Sequence, residues 1–423
     1  MQDKEIAKLI AKEEQRQLDT LELIPSENYI SREVRTALGS VFANKYSEGY
    51  PNRRYYGGQQ NTDQMEQLAI DRAKALFGAD HANVQPHSGA TANEEVYHAW
   101  MEPGDTIMGM ELSHGGHLTH GRPGTVSAKL FNFVRYGIKD IDTGELDYDQ
   151  MRATALKVKP KIILAGFSSY PRELDYAKFA AIGQECGAVL MADMAHIAGL
   201  IAAGILANPF DYGFHIVTAT THKTMRGPRG AIILSMGKAG NPLQKVDKTV
   251  ENLPTLIDRT VFPGVQGGPH MHTIAAKAVA FYEAAQPEFK DYCRQVLDNA
   301  QVLSRALMDK GLKLVTNGTD NHMMLADVVS SFGFDGQVAE EVLDRVGLTL
   351  NKNVIPDDPL PPFRPSGIRL GTPAITTRGL KGEHMELLAD WIITALQHRN
   401  DETALDKLSK EVRQLVRQYP LPD

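Results

Sequence analysis

Short apolar runs alternate with amphipathic stretches from about residue 61 to residue 235. The runs are DTIMGM (105–110), KIILAGF (161–167), AVLMAD (188–193), FHIVTAT (214–220) and AIILS (231–235). Stretches with helical spacing of apolar residues separate several of them, such as 62–78, where Thr62 is a plausible N-cap, and 175–187. This pattern predicts an α/β protein with a doubly wound, mainly parallel sheet. AIILS follows FHIVTAT too closely for a helical crossover, so we expect it to be an antiparallel neighbour.

The C-terminal third predicts a second, smaller α/β unit. A long helix around 271–309 is followed by two apolar segments, HMMLADV (322–328) and GIRLGTPA (367–374), and by a terminal helix near 402–418. Residues 3–20 also have a helical pattern. We therefore divide the chain into an N-terminal helical arm (1–20), a large domain (21–280) and a small C-terminal domain (281–423). The glycine- and tyrosine-rich stretch 43–61 has no period and predicts a functional loop.

Composition excludes several classes of protein. Lys and Arg number 45 against 52 Asp and Glu, a net charge of −7, which argues against a general nucleic-acid binder. The two cysteines, Cys186 and Cys293, are far apart, so neither a disulfide framework nor a structural zinc site is expected. No apolar run is long enough to cross a bilayer, and the first residues lack the features of a signal or transit peptide. We expect a cytoplasmic protein without nucleic-acid or membrane partners.

The most specific candidate for chemistry is Lys223, in ATTHKTMRGPRG (219–230). It follows a buried strand, and desolvation together with Arg226 and Arg229 would lower its pKa, so that it could attack an aldehyde. The alternative is a lysine that reaches the surface past the strand end. Asp193 ends the preceding apolar run, and ligands of open α/β sheets bind at the carboxyl ends of strands. Alone, Asp193 would suit a helix N-cap; with Lys223, it suits a pyridoxal phosphate site, where a carboxylate keeps the pyridine nitrogen protonated.

Three further patterns complete a candidate site. In QPHSGATANEEV (85–96), Ser88, Gly89 and Ala90 precede a helix whose free N–H groups would hold a phosphate, although many such turns are only caps. The triplet His114, His117 and His120 resembles metal ligands. However, its glycine pair weakens a helix and no HExxH motif or acidic partner is nearby, so we predict no metal and a histidine stacked on the cofactor. Arg369, in an apolar strand, is either part of a buried ion pair or a clamp for a substrate carboxylate.

Together these elements resemble serine hydroxymethyltransferase over about residues 18–415. The resemblance implies the aspartate-aminotransferase-like architecture (fold type I) of pyridoxal-phosphate-dependent transferases, and a homodimer or pair of dimers with shared active sites. The matching blocks are LELIPSEN, NKYSEGYPNRRYYGG, NVQPHSGATAN, LSHGGHLTHG, MADMAHIAGLIAAG, TTHKTMRGPRG, FPGVQGGPHMH, NKNVIP and SGIRLGTPAITTRG.

The resemblance also implies a role for each matching residue. Lys223 is the Schiff-base lysine, Asp193 pairs with the pyridinium, and His196 lies by the phenolic oxygen of the cofactor. Glu48 handles the proton near the substrate hydroxyl, which requires a pKa raised by partial burial, and Tyr56 assists the exchange of lysine for substrate. The other implied cofactor contacts are Ser88, Gly89, Ala90, His117, Ser168, Thr220 and His222, with Tyr46, Gly267 and Gly268 across the interface. The implied substrate contacts are Ser26, Glu48, Tyr56 and Arg369, and the implied folate contacts are Glu48, Tyr55, Leu112, Gly116, Leu118 and Asn353.

The implied reaction is the reversible transfer of the serine hydroxymethyl carbon to tetrahydrofolate, giving glycine and 5,10-methylenetetrahydrofolate. The chain departs from the family pattern in places: Pro25 replaces alanine, RPGTVSAK (122–129) replaces SPVNFSGK, and the stretch 237–260 is long. These departures bear on folate and substrate preference. The alternatives are a folate-independent threonine-type aldolase, an α-methylserine hydroxymethyltransferase, a catalytically silent member and a metal hydrolase built on the histidine triplet. The last would leave Lys223 and the SEGYP loop unexplained.

Overall fold

The computed structural model describes residues 1–422. Helices surround two sheets and account for much of the chain. The α-helices are α1 Lys4–Asp19, α2 Arg32–Leu38, α3 Gln60–Phe77, α4 Gly89–Trp100, α5 Val126–Leu130, α6 Tyr148–Val158, α7 Tyr176–Cys186, α8 Ala198–Ala202, α9 Leu253–Arg259, α10 Met271–Ala284, α11 Pro287–Asp309, α12 Val328–Phe332, α13 Gly336–Arg345, α14 Pro373–Thr377, α15 Gly382–Gln397 and α16 Glu402–Val416. No helix in this range has both the length and the apolar character needed to cross a membrane.

A seven-stranded sheet forms the centre of the larger part. Its strands are β1 His81–Asn83, β2 Thr106–Met110, β3 Asn132–Tyr136, β4 Ile162–Gly166, β5 Val189–Asp193, β6 Ile216–Thr220 and β7 Ala231–Ser235. Their spatial order is β1-β7-β6-β5-β4-β2-β3. The pairs from β6 to β3 are parallel, whereas β7 runs antiparallel to both β6 and β1. The predictions of a mainly parallel sheet and of an antiparallel AIILS strand are confirmed.

Helices cover both faces of this sheet. In β4, Ile163 and Ala165 join one buried cluster, while Ile162 and Leu164 join another that includes Val96 of α4. Alternate side chains of a strand point to opposite faces, so a strand buried on both faces is apolar throughout. The carboxyl ends of the parallel strands are therefore the edge at which polar groups can collect. The register places Asp193 of β5 beside Thr218 of β6 at this edge.

A second, antiparallel sheet lies in the C-terminal part. Its strands are β8 Lys313–Leu314, β9 Met323–Asp327, β10 Asn351–Asn353 and β11 Gly367–Gly371, in the order β8-β9-β11-β10. Leu21 and Leu23 pack in the apolar core around this sheet, and Leu21–Glu22 pairs in parallel with Leu348–Thr349. The chain just after α1 thus packs with the C-terminal part. The division into three domains stays a prediction.

Two local predictions were wrong. The single helix expected over 271–309 is two helices, α10 and α11, because Pro287 has no N–H and cannot continue the preceding turn. It begins α11 instead, a position that suits proline. Thr62 does not cap α3, since that helix begins at Gln60 and Thr62 is buried in its first turn.

Candidate active site

Lys223 lies in a turn that hydrogen bonds hold in place at the end of β6. The amide of Asn28 donates to the Lys223 carbonyl at 3.0 Å, and the Arg226 N–H donates to the same oxygen at 3.2 Å. Lys223 Nζ has no hydrogen-bond partner among residues 1–422. The pKa of Lys223 is lowered to about 8, chiefly by burial and also by the charges of Arg369 and Arg229, while the Asp193 carboxylate opposes them. The lysine is therefore an unpartnered amine that deprotonates more readily than usual.

The cationic neighbours of Lys223 differ in part from those expected. Arg229 contributes as predicted, and Arg369 joins it from the smaller sheet. The Arg226 guanidinium instead lies over the ring of Tyr292, 4.1 Å from the ring centre, in a cation–π contact.

Asp193 accepts hydrogen bonds on both carboxylate oxygens. Oδ2 accepts from the Asn93 amide at 2.8 Å and lies 3.1 Å from His120 Nε2, and Oδ1 accepts from the Ala195 N–H at 3.0 Å. Burial alone would raise the pKa of Asp193, but the hydrogen bond and charge of His120, the charge of His117 and the Asn93 amide hold it below its usual range. Asp193 does not cap α8, whose N-cap is Ile197. An ionised, oriented carboxylate therefore stands at the end of β5.

Asn93 connects this carboxylate to its surroundings. Its amide also donates to Thr119 Oγ1 at 2.8 Å, and its oxygen accepts from Thr218 Oγ1 at 2.6 Å. Thr119 Oγ1 is in turn 2.8 Å from His117 Nδ1. Our sequence predictions missed Asn93 as a positioning group. A signal existed, since Asn93 lies four residues after Gly89, on the same face of α4.

The N-terminus of α4 presents free amides beside the end of β6. Ser88 is the N-cap, and its hydroxyl accepts from the Thr91 N–H at 3.2 Å. The N–H groups of Gly89 and Ala90 have no acceptor among the described residues. A side chain on Gly89 would place its Cβ 2.7 Å from Thr220 Cγ2, so only glycine allows this approach. Free amides and the helix dipole suit a phosphate here.

Arg369 is a cation without an acidic partner. Its Nη1 donates to the Ser168 carbonyl at 2.6 Å and its Nε to Asn351 Oδ1 at 3.2 Å. It forms no ion pair within the part of the chain that the structure describes, so the alternative of a structural ion pair is wrong. Burial lowers the pKa of Arg369 to about 10. A shielded guanidinium with an unused donor edge suits a carboxylate ligand.

Three histidines at the site, His117, His196 and His222, are uncharged at neutral pH. Burial lowers the pKa of His117 to about 4, that of His222 to about 3, and that of His196 well below its ordinary value. His196 stacks on His322, with ring centres 5.6 Å apart. A neutral, half-buried His117 ring can lie against an aromatic ligand.

The histidine triplet does not converge. His114 Nδ1 accepts from the Ile138 N–H at 2.8 Å and its Nε2 lies 3.2 Å from Asp357, away from the other two. Ligand atoms of His117, His120 and Asp193 do lie within 4.8 Å of one another, so the fold supplies an acidic partner that was not expected from the sequence. Asp193 is hydrogen-bonded to His120 directly and is linked to His117 through Asn93 and Thr119. The absence of a metal stays a prediction.

The loop 43–61 gathers a separate, exposed cluster. Glu48 accepts from the Tyr46 hydroxyl at 3.3 Å and from the Tyr56 hydroxyl at 3.4 Å, while 56% of Tyr46 remains exposed. Gly268 lies against Tyr46, since a Cβ there would be 2.9 Å from Tyr46 Cζ, and a Cβ on Gly267 would be 3.3 Å from Glu48 Oε1. Within residues 1–422, this cluster makes no hydrogen bond to the groups around Lys223.

The remaining predicted residues lie on nearby loops. Leu112, Gly116 and Leu118 lie between β2 and α5, and the Gly115 carbonyl accepts from the Ser168 and Ser169 N–H groups, which ties that segment to the loop after β4. Asn353 ends β10, and its amide donates to the Val354 carbonyl. Tyr55 is 58% exposed, and Ser26 is half-buried. The two stretches that depart from the family pattern carry short helices. Helix α5 begins within 122–129, and α9 lies within 237–260.

The fold and these groups define a class. A mainly parallel seven-stranded sheet, with an aspartate and a lysine at adjacent strand ends and a helix N-terminus beside them, is the arrangement of pyridoxal-phosphate-dependent enzymes of fold type I. The protein-family model described as "Serine hydroxymethyltransferase" matches residues 1–392 of the 423-residue chain, and the chain belongs to that family. The resemblance and the fold class predicted from sequence are thereby confirmed. Members of this family are pyridoxal-phosphate-dependent transferases that use tetrahydrofolate.

Proposed function

We propose that the protein transfers the hydroxymethyl carbon of serine to tetrahydrofolate, reversibly, giving glycine and 5,10-methylenetetrahydrofolate. The observation that carries this proposal is the convergence of three groups. Lys223 is an amine with a lowered pKa, Asp193 is an ionised carboxylate, and Arg369 is a shielded cation without an acid. An amino acid bound by its carboxylate to Arg369 would bring its amino group toward the aldehyde held at Lys223.

Each polar group has a defined task in this proposal. Bound pyridoxal phosphate supplies an aldehyde that reacts with amines and a ring that accepts electrons. Lys223 would hold the aldehyde, Asp193 would keep a proton on the ring nitrogen, and the neutral His117 ring would stack on the cofactor. The Ser88 hydroxyl and the Gly89 and Ala90 amides would hold the phosphate, and Thr220 would make a further cofactor contact. His196, Ser168 and His222 line the site, and Ser26 assists Arg369 with the substrate carboxylate.

We propose that a second copy of the chain completes each site. One group lies at or near the surface and makes no hydrogen bond, within residues 1–422, to the groups around Lys223 of its own chain: Tyr46, Glu48, Tyr55, Tyr56, Gly267 and Gly268. In a homodimer they would meet the neighbour's site, where Glu48 moves the proton of the serine hydroxyl and Tyr56 contacts the substrate. Folate would lie among Leu112, Gly116, Leu118 and Asn353. The cytoplasmic location remains a prediction from the sequence.

The test uses serine labelled at its hydroxymethyl carbon, with and without tetrahydrofolate. We expect label in the folate product and glycine formation that requires folate. Equal glycine formation without folate, with release of free formaldehyde, would move the function to the aldolase alternative, and faster turnover of α-methylserine would identify the second alternative. The Lys223→Ala variant is the control, and normal turnover in that variant would overturn the proposal.

A further inference from the structure

Lys277 of α10 is a buried cation that none of the tasks above uses. It is 1% exposed, and its Nζ donates to three carbonyl oxygens: Val84 at 2.7 Å, Pro86 at 3.1 Å and Ala231 at 2.7 Å. A lysine has three N–H donors only as an ammonium, so three accepting carbonyls favour the charged form. Burial lowers the pKa of Lys277 to about 7. The hydrogen bonds nevertheless match all three donors of the ammonium.

Two of these carbonyls belong to the segment that leads from β1 to the N-terminus of α4. The Ala231 N–H also donates to the Pro86 carbonyl, at 3.2 Å. Gln266 holds the same segment through its amide, which donates to the Gln85 carbonyl at 3.0 Å and accepts from the His87 N–H at 2.9 Å. The carbonyls of Val84, Gln85 and Pro86 are therefore all engaged by donors inside the protein.

Because the Val84, Gln85 and Pro86 carbonyls are hydrogen-bonded inside the protein, the residues that follow can present N–H groups to a ligand. A carbonyl oxygen that pointed toward a bound phosphate would repel it, whereas free N–H groups attract it. With the preceding carbonyls engaged, the amides of Gly89 and Ala90 remain free at the start of α4. Adjacent Cα atoms are 3.8 Å apart, so the Cα of Ser88 lies at most about 7.6 Å from that of Pro86. Lys277 Nζ, 3.1 Å from the Pro86 carbonyl oxygen, is thus tied to the chain two residues before the N-cap of α4.

The charges of Glu95 and Glu66 raise the pKa of Lys277, but neither carboxylate is paired with it directly. Lys277 forms no ion pair within residues 1–422. Its buried neighbour Glu95, on α4, has no hydrogen-bond partner on either carboxylate oxygen, and burial raises the pKa of Glu95 to about 8. A buried ammonium is unfavourable unless polar groups and an anion compensate it, and the three carbonyls supply only part of that compensation.

We propose that Lys277 is a positioning residue for the cofactor phosphate. It holds the Val84 and Pro86 carbonyls away from the phosphate and places a desolvated positive charge on the segment that leads into the N-terminus of α4. This inference rests on the proposed pyridoxal phosphate site, but it concerns the phosphate alone. It therefore predicts that Lys277 contributes to the binding of pyridoxal phosphate and much less to that of pyridoxal, which lacks the phosphate.

The test compares both compounds on the full-length apoprotein. Dissociation constants are measured by the change in visible absorption for the wild type, Lys277→Met and, as a matched control at an exposed lysine, Lys290→Met. We expect Lys277→Met to weaken the binding of pyridoxal phosphate by about tenfold or more, because a nearby charge in a partly desolvated setting is lost. Pyridoxal affinity should change by less than roughly threefold. Equal weakening of both compounds would overturn the proposal and leave Lys277 a purely structural residue.

A second variant, Lys277→Gln, tests the proposal if Lys277→Met does not fold. Lys277→Gln keeps an amide donor for the carbonyls and loses the charge, so it should show the same selective loss; an unchanged ratio of the two affinities would overturn the proposal. Wild-type protein that binds neither compound would overturn both this inference and the proposed function. Normal wild-type binding with an unaffected ratio in the variants would remove only the inference.

Discussion

Replacement of Arg369 by methionine tests the substrate carboxylate site. Methionine retains much of the apolar stem and removes the guanidinium. A carboxylate bound to the unused edge of Arg369 would form two charge-assisted hydrogen bonds, each of which contributes about 1.5–2 kcal/mol. Their loss, about 3–4 kcal/mol, corresponds to a serine affinity roughly 150- to 1,000-fold weaker. Pyridoxal phosphate binding should persist, because Arg369 is hydrogen-bonded to Ser168 and Asn351 and not to the segment that presents the phosphate amides.

The same change should have little effect on stability. Removal of Arg369 leaves the Ser168 carbonyl and the Asn351 amide oxygen without their donor, which costs about 1–3 kcal/mol. It also removes a buried cation without an acidic partner, and the relief is of similar size. We therefore expect the free energy of unfolding to change by less than about 1.5 kcal/mol. A member of a buried ion pair would lose about 3–5 kcal/mol on the same substitution.

The assay titrates holoenzyme with serine and follows the absorption of the bound cofactor, and a thermal melt of the same samples reports stability. Arg364→Met is the matched control, since Arg364 is a surface arginine paired with Asp335. Unchanged serine affinity in Arg369→Met would refute the proposal that Arg369 binds the substrate carboxylate. A loss of stability near 4 kcal/mol would refute the argument that the cation is uncompensated.

Four further predictions concern the site. Because burial lowers the pKa of Lys223 to about 8, the neutral amine fraction rises as pH rises through that value; the rate at which apoprotein takes up pyridoxal phosphate should rise to about pH 8 and level off, and continued increase toward pH 10 would contradict this. In Arg369→Met the same pH profile should move to higher pH, because the variant lacks a positive charge that lowers the pKa of Lys223. Asn93→Ala removes a hydrogen bond to Asp193 and should weaken the binding of pyridoxal phosphate about tenfold, as measured by equilibrium dialysis. An unchanged dissociation constant would count against a role for Asn93 in positioning Asp193. Mixed Lys223→Ala and Tyr46→Ala subunits should regain activity, since one site of a heterodimer is intact; no recovery despite proven subunit exchange would refute shared sites.

The residues at the strand ends were predictable because the strands themselves can be recognised from the local pattern of apolar residues. Continuous apolar runs identify strands buried on both faces, and parallel strands bring their carboxyl ends to one edge. Asp193 and Lys223 each end or follow such a run, so their meeting could be expected before any coordinates existed. The free amides at Ser88–Ala90 were predictable for the same reason, since a helix start presents unpaired N–H groups wherever it lies.

The supporting groups were not predictable, because their partners are distant in sequence. Asn93 meets Asp193 one hundred residues later, and Lys277 meets Val84 across 193 positions. Nothing in the local sequence of α10 distinguishes Lys277 from a surface lysine. The lack of an acid beside Arg369 likewise depends on which carboxylates the whole fold brings near. The break before α11 was different, since Pro287 is a visible helix-start residue.

The most direct test of the central claim is the visible absorption spectrum of the purified holoenzyme, alone, with glycine, and with glycine plus tetrahydrofolate. We expect a yellow protein in which an intense new absorption band at longer wavelength develops only when tetrahydrofolate is added together with glycine. A spectrum that responds to glycine but ignores folate would contradict the transferase assignment and support a folate-independent aldolase. A colourless protein that pyridoxal phosphate cannot reconstitute would contradict the account from Lys223 outward.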